Sequence, residues 1–225
     1  MARLQLYDQL LQFPLFQGIS RDDLEIIAGH TRFGFEHVPA GKCIAEEGTP
    51  CRCLHLLLDG SLRIETFSDD RHYWMTEYMT APYLFQLEVL FGYNQRYTHR
   101  YTTLTDAHFI TIGKEEMLRL SEDILVFRLN LMNLFATQSQ KFIHQSLRRA
   151  PQSLREHIVR FIVARTVYPA GHKRLHILMT RLAEELNDSR LDVSRALNTM
   201  QTAGLVRLHR GVIEIPSLER LITEV

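Results

Sequence analysis

Cysteine is scarce in this 225-residue chain: there are three, all between positions 43 and 53. Cys43, Cys51 and Cys53 are too few and too clustered for a disulfide framework. They fall short of a four-ligand metal site, and Cys51-x-Cys53 lacks the two-residue spacing of metal hairpins, so structural thiols are expected. No apolar run approaches the roughly 18 residues that span a bilayer. The opening MARLQLYDQLLQF lacks the basic region and unbroken apolar stretch of a secretion signal. A cytoplasmic protein without membrane contact is expected. An excess of charge is missing too: 26 Lys and Arg balance 26 Asp and Glu, which excludes a protein coated all over with basic residues. The balance is uneven, since residues 151–225 hold 11 basic against 8 acidic residues. Catalytic signatures are absent as well. There is no nucleophile elbow ordered with His and Asp, no P-loop and no HExxH. Glu46-Glu47 and Glu184-Glu185 are sequence neighbours whose side chains diverge. An enzyme is not expected.

What is present is a change of texture along the chain. Leu4–Phe13 has helical apolar spacing, and Ser20-Arg-Asp-Asp supplies an N-cap with acids in the first turn. From about Thr31 to Ile112, short runs rich in Val, Ile, Phe, Tyr and Thr are separated by turn signals. Strands at this spacing predict a β-sandwich or jelly roll. Leu54–Leu58, Asp59-Gly60 and Leu62–Phe67 read as a tight hairpin.

After Gly113 the pattern turns helical. Lys114–Leu120 predicts a short helix, and Ser121 opens a long one that runs uninterrupted to Arg149. Met132, Phe135, Ser139, Phe142 and Ser146 recur at a 3-4 spacing, with Leu131 beside them. Such a stripe fits packing within the chain or a homodimer seam. Pro151 ends the helix, and Ser153-Leu-Arg-Glu156 forms a capping box for another, reaching about Tyr168. These breaks divide the chain into 1–121, 122–150 and 151–225.

The last segment carries the sharpest motif. Met179–Leu186 predicts one helix, Asn187-Asp188-Ser189 a turn, and Arg190–Thr202 a second helix burying Val193, Leu197 and Met200. Gly204 ends it, and Leu205–His209 and Val212–Ile215 follow as a hairpin. That order is a winged helix-turn-helix. The second helix offers Arg190, Asp192, Ser194, Arg195 and Asn198, capped by Ser189, with Thr180 on the first helix. Arg donates twice to guanine O6 and N7, and Asn suits adenine. Arg207, His209 and Arg210 on the wing would meet phosphates.

In this order the motifs resemble the Crp–Fnr family of bacterial regulators, along nearly the whole chain. Phe13-Pro-Leu-Phe-x-Gly-Ile, Pro39-Ala-Gly-x-x-Ile-x-x-Glu-Gly48 and Leu54–Leu58-Asp-Gly-Ser-Leu are similar to its sensory β-roll. Residues 122–149 take the place of its dimerisation helix. The resemblance implies an α+β fold: a jelly-roll sensory domain, a long dimerisation helix and a winged helix-turn-helix. It implies a homodimer on a palindromic double-stranded DNA operator, with RNA polymerase as a further partner. In the family's nucleotide binders a Gly-Glu pair and, about ten residues on, Arg-Ser or Arg-Thr hold the ligand. Here Phe85 and Gln86, followed by Leu87, replace the first pair. Tyr97-Thr98 replaces the second, with Arg96 one residue off. The same pocket would include Gln140 from the long helix. A phenylalanine where backbone must approach phosphate argues against cyclic AMP, so the effector is unknown. A haem-based sensor, with His144 as a candidate ligand, is one alternative; a scaffold that has lost DNA binding is another. Arg190 and Arg195 match the family's DNA-reading arginines. Leu191 replaces its glutamate and cannot accept from cytosine N4, though it could touch a thymine methyl.

Overall fold

A computed structural model describes residues 2–224, and the side chains of all of them except 2–5, 145 and 146. The chain runs α1 (Ala2–Leu10), α2 (Arg21–His30), β1 (Phe33–Val38), β2 (Cys43–Ala45), β3 (Cys53–Asp59), β4 (Ser61–Phe67), β5 (Trp74–Thr80) and β6 (Tyr83–Leu84). Then come α3 (Leu87–Phe91), β7 (Arg100–Thr103), β8 (Ala107–Gly113), α4 (Lys114–Asp123), α5 (Leu125–Ser146) and α6 (Leu154–Val163). The remainder is β9 (Lys173–His176), α7 (Met179–Leu186), α8 (Arg190–Thr202), β10 (Arg207–His209), β11 (Val212–Ile215) and α9 (Leu218–Thr223).

These elements gather into two compact units. One holds the chain through Ser61, Thr80–Tyr97 and Thr103–Arg148; the other holds Leu62–Met79, Thr98–Thr102 and the chain from Arg149. Residues 62–79 and 98–102, expected with the N-terminal domain, thus cluster with the C-terminal segment. The long helix clusters with the first unit.

The sheet of the first unit has the order β1-β8-β3-β6. β8 pairs antiparallel with β1 and with β3, so it is central. Leu54, His55, Leu56 and Leu57 on β3 are all buried, as are Phe109, Ile110 and Ile112 on β8. Strands covered on both faces lose the in-out alternation of a half-exposed sheet. Gly34 faces Thr111 across the β1–β8 pair, and a Cβ there would collide with the threonine Oγ1.

The expected hairpin at Asp59-Gly60 does not form. β3 pairs in one sheet and β4 in the other, so Gly60 turns a corner between sheets. Its φ of +100° and the 2.7 Å separation that a Cβ would have from the Asp106 carbonyl oxygen explain the glycine. The helical boundary also shifts. α4 continues through Asp123, and the long helix starts at Leu125 after an extended Ile124. Phe127 is fully buried against Phe16, and Asn130 Nδ2 donates to the carbonyls of Leu15 and Gln17. Burying one such phenylalanine stabilises by about 1.5–3 kcal/mol, which fixes this face of α5 inward.

In the second unit the sheet runs β10-β11-β9-β5-β4-β7. β5 joins β9 antiparallel, with Trp74 opposite His176 and Glu77 opposite Lys173. Its Met75 enters the core formed by Ile158, Phe161, Ile162, Leu175, Leu182, Val193, Leu197, Met200, Ile213 and Leu218. Lys173 Nζ lies 2.8 Å from Glu77 Oε1, with both side chains essentially inaccessible. The same carboxylate accepts the backbone N–H groups of Val167 and Tyr168. Four charge-assisted donors and acceptors in one place are what make a buried pair tolerable.

Candidate nucleic-acid interface

The helix-turn-helix forms at the expected residues. Leu182, Ala183 and Leu186 on α7 and Val193, Leu197 and Met200 on α8 are buried. Asn187 takes the left-handed conformation at φ 48° and lets the chain reverse, which Asn tolerates better than bulkier residues. Ser189 Oγ accepts the Asp192 N–H at 3.0 Å and donates to the Asp192 carboxylate. The cap therefore ties up both Ser189 and Asp192. Gly204 at φ +72° closes α8.

Leu191, Arg195, Asn198 and Thr202 recur at four, seven and eleven residues, opposite the buried stripe. All four are exposed. Arg195 also lies 3.5 Å from Asp192, an exposed contact that is worth little and is easily exchanged. Arg190 is exposed at the first position of α8, and Thr180 is exposed on α7. Ser194 is half-buried, off the outer face.

The wing is held by a residue that sequence reasoning missed. Glu214 on β11 faces Arg207 on β10. It contacts Arg207 at 3.6 Å, His209 at 3.2 Å and His172 at 3.0 Å. Hydrogen bonding from His172, then from His209, holds the Glu214 carboxyl below its ordinary range. Gln201 Oε1 accepts the Leu208 N–H at 2.9 Å and joins α8 to the wing. Arg210 is exposed at the turn, beside Gly211 at φ +73°.

The residues expected around an effector are partly buried and partly exposed. Phe85 is 1% exposed and its ring lies 5.3 Å from His55 and 6.0 Å from Phe109. The Tyr97 hydroxyl lies 3.2 Å from His55 Nδ1 and donates to the Cys53 carbonyl. Gln86 and Leu87 are buried. Arg96 instead spends its guanidinium on the Gly48 carbonyl at 2.6 Å. Thr98 is exposed and clusters with the second unit, and Gln140 is exposed on α5. Burial lowers the His55 pKa and raises that of Cys53 to about 11. Neutral groups are what such a dry cluster favours.

On α5, Phe135 is half-buried and meets Phe91 edge-on; Leu131 is half-buried. Met132, Ser139 and Phe142 are exposed, as are Leu125, Leu129 and Ile143. His144 is exposed too. The Ser146 side chain lies outside the described residues. None of the described helices is long and apolar enough to cross a membrane.

Comparison with known proteins agrees with this arrangement. Residues 35–123 match the cyclic nucleotide-binding domain and residues 156–223 match the Crp-like helix-turn-helix domain. The catabolite activator protein of Thermus thermophilus is similar in fold (21% identity, 93% of this chain and 97% of that one, TM-score 0.52). So is a regulator assigned to the crp/fnr family from Eubacterium rectale (23% identity, 94% and 97%, TM-score 0.53). The sensor domain of the transcriptional regulator DNR from Pseudomonas aeruginosa covers 68% of this chain and 99% of its own, at 16% identity and TM-score 0.54. No curated protein matches. A cyclic nucleotide-binding-type domain followed by a helix-turn-helix defines a non-enzymatic DNA-binding regulator. The chain belongs to the Crp–Fnr family of transcription regulators.

Proposed function

We propose that the chain is a homodimeric, sequence-specific transcription regulator whose effector is not cyclic AMP. The observation that carries the DNA half is the outer face of α8, where Arg195 and Asn198 project with no apolar cover. Arg190 flanks them, and Arg207, His209 and Arg210 on the wing are suited to phosphates. Leu191, 60% exposed, suits a thymine methyl and so favours a different operator from members with glutamate there. The homodimer rests on the exposed Leu125, Leu129, Met132 and Phe142 along one helix. Exposed apolar stripes of this size mark contact surfaces. On this reading the chain divides functionally into a sensory segment at 1–121, a dimer helix at 122–150 and a DNA-binding segment at 151–225.

The cyclic-nucleotide reading is disfavoured by the packing around Phe85. A buried ring packed against His55 fills the place of a phosphate-approaching glycine, and Arg96 already has a carbonyl partner. Selection from randomised duplexes tests the proposal. A palindromic site with half-sites about one helical turn apart, bound by two chains, is expected. Met132→Glu should give a monomer by light scattering and weaken that binding by at least tenfold. A monomeric wild-type protein at micromolar concentration, or selection without any enriched sequence, contradicts it.

A further inference from the structure

The tip of the wing and the start of α7 enclose a cavity of about 210 Å³. Ile177, Leu182 and Ile213 form its floor and are buried in the core of the second unit. Met179 and Leu208, partly buried and packed against that core, form its walls. Two hydrogen bonds hold the wing over it. The Ile177 N–H donates to the Gly211 carbonyl at 3.0 Å, and the Leu208 N–H donates to Gln201 Oε1 at 2.9 Å. The roof is thus anchored to the β9–α7 junction on one side and to α8 on the other.

Size and charge narrow what fits. An apolar cavity of about 150 Å³ stays dry and holds benzene, so this one has room for a single ring and one small substituent. It is too small for a nucleotide, since drug-sized ligands take about 300–1,000 Å³. The mouth is formed by His209 and Arg210, both exposed. His209 Nε2 lies 3.2 Å from Glu214 Oε2 and is already matched to a carboxylate. Arg210 brings a guanidinium that keeps its charge at any working pH, and its planar fork suits a carboxylate. Met179, in the wall, is the first residue of α7. The first turn of that helix holds no acidic residue to offset the positive end of its dipole, which adds to the pull of Arg210 on an anion.

We propose that this cavity binds a small apolar monocarboxylate, with a body the size of one aromatic ring on the floor and its carboxylate on Arg210. Arg210 is also one of the wing cations suited to DNA phosphates, so a bound acid withdraws it from the backbone and weakens operator binding. That consequence rests on the DNA-binding reading above; the binding of the acid does not.

Titration of the full chain with benzoate, followed on the methyl groups of Met179, Leu208 and Ile213, tests this. Saturation with a dissociation constant of about 1 mM or below is expected, a modest affinity for a ligand of that size. Benzyl alcohol has nearly the same shape without the charge and should bind at least about tenfold more weakly. Naphthoate carries the charge on a body too large for the cavity and should not saturate those methyl groups. The exposed Arg210→Gln should lose about tenfold in affinity for benzoate and keep its affinity for benzyl alcohol. Met179→Trp, which fills the cavity, should bind neither, with a thermal unfolding midpoint to confirm that it folds. No saturation by benzoate, equal affinity for the alcohol, or an Arg210→Gln variant that holds benzoate as tightly as the wild type overturns the proposal. On the selected operator, saturating benzoate should weaken wild-type binding several-fold and leave that of Arg210→Gln unchanged. Operator binding by the wild type that ignores bound benzoate contradicts the competition. Failure of the wild type to select any site strikes the DNA-binding reading alone, and the benzoate titration still decides the cavity.

Discussion

The cluster around Phe85 and the outer face of α8 both hold polar side chains, with opposite uses. Around Phe85, the imidazole of His55 faces a hydroxyl, the hydroxyl of Tyr97 reaches a carbonyl, and ring meets ring. On α8, Arg195 and Asn198 project outward, and the carboxylate next to them is already committed to the helix cap. A site is defined by groups whose partners lie outside the chain. By that measure the first region is packed like core, and the second has the exposed polar groups that the proposed DNA contact needs.

Breaking the core side should have the largest effect. Phe85→Ala removes a ring that nothing else can replace and should cost about 3–5 kcal/mol. Thermal unfolding measures it, and a loss below 1 kcal/mol would mean that the site is a collapsible pocket after all. Lys173→Met strands the Glu77 carboxylate in the second unit, at a cost of about 3–5 kcal/mol. Adding Glu77→Leu should recover only part of this, because the Val167 and Tyr168 amides then lose their acceptor.

A smaller effect follows from His99, whose Nδ1 lies 3.0 Å from Thr66 Oγ1. Burial depresses its pKa from 6.5 to about 4. The unfolded chain then takes up a proton that the folded chain refuses. The contribution of His99 is complete above pH 6.5 and is lost as pH falls toward 4, at up to about 1.4 kcal/mol per pH unit. Denaturant midpoints should show that slope, and His99→Gln should flatten it.

Much of the helix-turn-helix was legible in the sequence because local chemistry specifies it. Ser189 three residues before Asp192, Asn187 in the turn and Gly204 at the end each act within a few residues of themselves. The β-rich character of residues 31–112 was legible for the same reason. The pairing was not. Asp59-Gly60 reads as a hairpin locally, yet β3 and β4 find different neighbours. β9 went unseen, since Lys173–His176 has only Leu175 as an apolar core residue and depends on β5 and β11 for partners. Lys173 itself reads as a surface charge until Glu77, 96 positions away, is placed beside it. The substitutions at Phe85 and Gln86 were visible as departures from a nucleotide pocket, but His55 and Tyr97 as partners were not. Of the dimer stripe, the contact of Phe135 with Phe91 was not legible, because Phe91 comes from a distant segment.

The central claim is that the outer face of α8 reads bases. Its most direct test is the base-preference profile of Arg195→Ala beside that of the wild type, on the same selected duplex and at one salt concentration. Loss of preference at one position of each half-site, worth about 1–3 kcal/mol, with phosphate-driven binding retained, is the expected result. An unchanged profile would contradict the account.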